Sequence, residues 1–134
     1  MATMTKEKAS EMLDSGYHCS QCVMEHGAEL LGLDPELAKK YTSGLGGGCF
    51  SKGTCGCVTA AVIALSVRYG YSDSKNCKET DDLLKEKVHE FEDRFTAKYH
   101  SITCGELLED SSGTCSEYVA HACEIIDDIL KQPE

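Results

Sequence analysis

Little in this sequence interrupts a helix: it has only 2 prolines in 134 residues, and no low-complexity tract divides it. No stretch carries a competing strand signal of alternating apolar and polar residues. The expected fold is all-α, a helical bundle forming a single domain over residues 1–134, long enough to bury one core. Basic residues are also scarce. Lys and Arg number 13 against 23 Asp and Glu, a formal net charge of -10. Such a chain repels phosphates, which argues against nucleic acid and anionic membrane surfaces as partners. The longest apolar run is too short to span a bilayer, and the opening ATMTKEKASEMLDSG lacks the basic-then-apolar order of an export signal. The expected location is therefore cytoplasmic.

Cysteine is present in excess, with nine in the chain. In a secreted mini-domain this would suggest disulfide staples. Without an export signal, and with enough chain to build a core, metal, cluster or redox thiol chemistry explains the set better. The competing explanation for any one cysteine is that it fills the core as a small apolar side chain.

The chain is organised around residues 44–69, where the loop GLGGGCFSKGTCGC feeds into VTAAVIALSVRY. From Val58 to Val67 there is no charge, and a helix apolar all round belongs at the centre of a bundle, here over about residues 56–69. Thr54 is the expected N-cap, with Cys55 at the first helical position, where free N–H groups and the helix dipole favour a thiolate. Gly46, Gly47 and Gly48 allow a tight turn or a close approach to a bound group, and are the candidate cofactor-binding residues. The loop lacks the lysine and following Ser or Thr of a phosphate loop, and it follows a helix rather than a strand.

Around this segment, a short helix over residues 5–15 carries no evident chemistry. A second, from about His18 to Leu31, aligns Cys19, Cys22, Val23, His26 and Leu30 on one face. Its C-x-x-C-x-x-x-H spacing is metal-like, although His26 reads as a packed or solvated side chain, and Val23 replaces the histidine that covalent haem attachment needs. Asp34 and Pro35 open a third helix ending near Thr42. Gly70 ends the central helix, and YSDSKNCKET reads as a polar connection holding Cys77. Leu84, Val88, Phe91 and Phe95 mark a long amphipathic helix over residues 80–100, with His89 and His100 on its surface. Thr103–Glu106 and Thr114–Glu117 fit the capping box, each placing a cysteine first in its helix. The former helix ends near Asp110 to Gly113, and the latter runs to about Leu130.

Three Thr-Cys pairs at helix starts, Thr54-Cys55, Thr103-Cys104 and Thr114-Cys115, suggest thiols of lowered pKa. If Cys55, Cys104 and Cys115 meet, Cys19 completes a four-sulfur shell, suited to zinc or an iron–sulfur cluster. Cys57, Cys22 and Cys49 are the alternative ligands.

At these residues the sequence resembles the C-GCAxxG-C-C family of redox-active proteins, and is similar to the second domain of split-Soret cytochromes. The resemblance runs from about Tyr17 to Leu130 and rests on Cys19 in YHCSQCV, the loop with CGCVTAA, Cys104 in SITCGELL and Cys115 in TCSEYV. The central motif aligns in two ways. Cys55 as the family thiol leaves Cys57 and Ala60 as departures; Cys57 leaves Val58 and Ala61. The resemblance implies a redox role, and the split-Soret relatives imply a two-iron two-sulfur cluster held by cysteines for electron transfer with a protein redox partner. A homodimer is compatible with this. The alternatives are a dithiol–disulfide oxidoreductase or redox sensor with no metal, and a zinc or copper(I) binding module. As an enzyme it would be a component of an oxidoreductase.

Overall fold

The computed structural model describes residues 3–75, 77–109 and 113–132. Among these, seven α-helices follow one another with no strand: α1 (Lys6–Asp14), α2 (Cys19–Leu31), α3 (Pro35–Thr42), α4 (Gly56–Tyr69), α5 (Cys77–Tyr99), α6 (Cys104–Glu109) and α7 (Cys115–Leu130). α4 is the central helix that its composition requires. Val58, Ala60, Ala61, Ala64 and Leu65 are all buried on it. Its alanines let neighbours come close: a Cβ on Gly27 of α2 would lie 3.2 Å from that of Ala64. α2 and α7 close the core with Val23, Met24 and Ala28 from one and Val119, Ala122, Ile125, Ile126 and Ile129 from the other. His26 is buried there, its Nε2 2.8 Å from Asp127 Oδ1 on α7, so it packs and bonds within the core.

α5 contributes Phe91 and Phe95, stacked with centroids 5.9 Å apart, and Tyr99, which meets Tyr118 of α7 edge-on at 4.6 Å. This helix begins earlier than its apolar spacing indicates. It takes in Cys77, which the sequence reading left in the connection, because the first turn is charged and exposed and shows no apolar period. Residues 110–112, where the sequence places the end of α6, lie outside the described residues.

Two local devices set up the cysteine end of the bundle. Gly47, Gly48, Cys49 and Phe50 all adopt positive φ, between 58° and 66°, so the chain makes a left-handed turn there. Only the two glycines do so without a steric penalty. Immediately after it, Thr54 and Thr103 form an isolated antiparallel bridge. The Cys55 N–H donates to the Ile102 carbonyl at 2.6 Å, and the Cys104 N–H to the Gly53 carbonyl at 2.7 Å. Main-chain bonds thus tie the segment that enters α4 through Cys55 to the segment that enters α6 through Cys104. Among the described residues no helix is long and apolar enough to cross a membrane.

Candidate metal and redox thiol centre

Cys19 is the first residue of α2, Cys104 of α6 and Cys115 of α7, while Cys55 is the N-cap of α4. Cys55 is therefore one position earlier than the sequence reading put it, because Thr54 is engaged in the bridge to Thr103 and Gly56 becomes the first helical residue. The start of α2 is set by His18, whose N–H donates to Gln21 Oε1 at 2.9 Å. The start of α7 is set by Thr114, whose hydroxyl accepts the Glu117 N–H.

These four cysteines and Cys57 line one cavity of about 120 Å³, walled by Leu107, Leu108 and Tyr118 and by the backbone of Gly47. The sulfurs of Cys19, Cys55 and Cys57 lie within 4.8 Å of one another; Cys104 and Cys115 line the same space without joining that close group. Cys55 and Cys57 are buried, Cys19 and Cys104 half-buried, and Cys115 exposed, which marks the open side. Of the other candidates, Cys22 is wholly buried among core side chains and Cys49 is exposed on the left-handed turn; neither lines the cavity.

The glycines divide similarly. Gly47 faces the cavity, but Gly46 is packed against His18, where a Cβ would fall 2.5 Å from the ring, and Gly48 against the Gly53 backbone. Gly46 and Gly48 thus shape the loop and do not line the site. The sequence reading missed the apolar wall. Leu107 and Leu108 follow Cys104 by three and four residues, and Tyr118 follows Cys115 by three, so each shares its cysteine's helical face. The Tyr118 hydroxyl donates to the carbonyls of Leu107 and Gly113, tying α7 to the end of α6.

The electrostatics differ from the expectation at three positions. Among the thiols whose pKa shifts, lowering occurs at Cys19, to about 3, as its sulfur accepts hydrogen bonds from the Cys55 and Cys57 thiols and from the N–H groups of Gly47 and Ser20. Hydrogen bonding to Cys19 pushes Cys55 up to about 12, and the same bonding to Cys19 and Cys55 holds Cys57 well above the usual thiol range. Burial, with the nearby Cys19 charge, raises Cys104 and Cys115. One negative charge shared by three adjoining sulfurs opposes a second, so helix starts do not lower every thiol in the group. A bound cation reverses this by favouring thiolate throughout.

Among the described residues no carboxylate or imidazole lines the cavity, and the metal-binding side chains there are thiols. That set fits a thiophilic metal and not magnesium or calcium, which require oxygen. Fold and site define a small all-helical protein whose cysteines, drawn from distant stretches of chain, form a cluster able to hold a metal. The chain belongs to the C_GCAxxG_C_C family, described as "Putative redox-active protein", which it matches over residues 17–129. No curated protein and no solved structure matches it.

Proposed function

We propose that this protein is an electron-transfer protein whose cavity cysteines bind an iron–sulfur cluster, with a two-iron two-sulfur cluster the favoured type. The observation that carries the reading is the convergence of five cysteine side chains from well-separated stretches on one otherwise apolar space. Its volume of about 120 Å³ is larger than a single ion needs. It is several times the roughly 30 Å³ share of one water in the liquid, which favours a multi-atom group over zinc.

Cys19, Cys55, Cys104 and Cys115 would hold the cluster, with Cys57 the competing ligand beside Cys55. When bound, the cluster supplies one-electron chemistry. The chain's own groups prepare the site for it. The N–H groups of Gly47 and Ser20, the latter at the start of α2, stabilise negative charge on Cys19. Leu107, Leu108 and Tyr118 limit the approach of water, while Cys115 at the open side gives a short route to a protein redox partner. A cytoplasmic location suits free thiols of this number.

Purification of the full chain without oxygen from iron-replete cells tests the reading. The expected product is brown, contains iron and acid-labile sulfide in comparable amounts, and bleaches with dithionite. A colourless protein without iron or sulfide would overturn it, and one mole of tightly held zinc would replace it with the metal-binding alternative.

A further inference from the structure

Five thiols face the cavity, whereas a four-thiolate centre uses four. The crowding is local: Cys19, Cys55 and Cys57 have their sulfurs within 4.8 Å of one another, and Cys104 and Cys115 stand outside that group. Cys19 and Cys55 are brought together by the close approach of two helix starts. A Cβ on Gly56 would lie only 2.9 Å from the Cys19 sulfur.

We propose that in the metal-free protein Cys19 and Cys55 close into a reversible disulfide, which withdraws two thiols from the site and bars metal loading until it is reduced. The consequence for loading rests on the metal-centre reading given above; the thiol chemistry does not.

The co-reactant is a small disulfide of the glutathione class. The Cys19 sulfur attacks one of its sulfurs, forming a mixed disulfide and releasing the first small thiol. The Cys55 sulfur then attacks the Cys19 sulfur, the protein S–S bond forms, and the second small thiol leaves. Two protein thiols are oxidised, one small disulfide is reduced to two thiols, and both thiol protons pass to those products.

Geometry selects the pair. Cys55 precedes α4 as its N-cap, so its side chain can turn without unwinding the helix, whereas Cys57 is 0% exposed and fixed in the first turn. A Cys55–Cys57 bridge would join near neighbours along one turn, where disulfide geometry is strained. A Cys19–Cys55 bridge joins two elements already in contact. The exposed Cys115 and the open side of the cavity admit a small disulfide to the half-buried Cys19.

The test uses the full chain, freed of metal by a chelator under dithiothreitol, exchanged into oxygen-free buffer and exposed to glutathione disulfide. The expected result is loss of two of the nine thiols with no glutathione retained, and a Cys19–Cys55 cross-linked peptide in the mass map. Cobalt(II), used as the probe metal, is then no longer taken up as its thiolate-coloured complex, and dithiothreitol restores both the thiols and the uptake. Cys57→Ala keeps the bridge. Nine surviving thiols, a bridge between any other pair, or undiminished cobalt uptake by the bridged protein would each overturn the proposal. The wild-type map decides even if a cysteine variant fails to fold. Iron and sulfide analysis of the purified protein tests the cluster reading separately, and a negative result there leaves the thiol count intact.

Discussion

Gly56 stands between Cys55 and Cys57, and a Cβ on it would come within 2.9 Å of both the Cys19 sulfur and the Leu45 carbonyl oxygen. Alanine would favour the helix by up to about 1 kcal/mol, but a methyl forced into so filled a space costs about 1–3 kcal/mol. The clash prevails, because the opposing atoms belong to backbone and to a short side chain. Gly56→Ala is therefore expected to lower thermal stability and to weaken cobalt(II) uptake, read by differential scanning calorimetry and by absorbance titration. Unchanged uptake would show that the contact between α2 and α4 is not needed by the site. At this scale the sequence was informative about cysteines and less so about glycines. Cys55, Cys104 and Cys115 could be singled out by their Thr-Cys pairs at helix starts, and Cys19 by its place on the face of the second helix. That Gly46 and Gly48 pack on His18 and Gly53 depends on partners that spacing along the chain does not reveal.

The helices were largely legible because three- and four-residue apolar steps, the caps Asp34 and Thr114 and the stop at Gly32 act locally. Their exact starts were less so. Cys55 became a cap because a segment some fifty residues later, through Thr103, claims Thr54. The left-handed turn was also hidden, since Cys49 and Phe50 adopt a backbone conformation that their residue types disfavour. The contact between α5 and α7 carries a prediction of its own. His121 on α7 lies 5.4 Å from the Tyr99 ring and 6.1 Å from that of Phe95. Burial there and the nearby Lys98 cation hold its pKa below the ordinary 6.5, against the opposing pull of the Arg94 backbone and Glu124. The unfolded chain then binds the proton first as pH falls. The contribution of neutral His121 is complete above 6.5 and is lost as pH drops from 6.5 through the lowered folded value. His121→Phe, which keeps a ring among rings, should make the fall in urea midpoint below pH 6.5 shallower than in the wild type. An identical pH dependence in the variant would refute this.

Across the whole molecule, the cavity draws on α2, α4, α6 and α7 together with the left-handed turn. A metal bound there is linked to the folded state and to little of the unfolded one. At a free concentration about a hundred times its dissociation constant it adds about 2.7 kcal/mol. With a shift of about 4 °C per kcal/mol for a chain of this size, removing it should lower the midpoint by about 10 °C. Hydrogen exchange should rise first at residues 53–55 and 101–104, the two segments that the Thr54–Thr103 bridge ties together beside the cavity. Calorimetry and exchange mass spectrometry with and without chelator measure both effects. An unchanged midpoint would separate the site from the stability of the fold.

The span from Cys19 to Cys115 has one more consequence. The whole stretch from Cys19 to Cys115 must leave the ribosome before the last cavity sulfur can reach the first, so no shorter product carries a complete site. Any metal that these cysteines hold would therefore load only after that stretch has been made, onto a finished surface and beside Cys115.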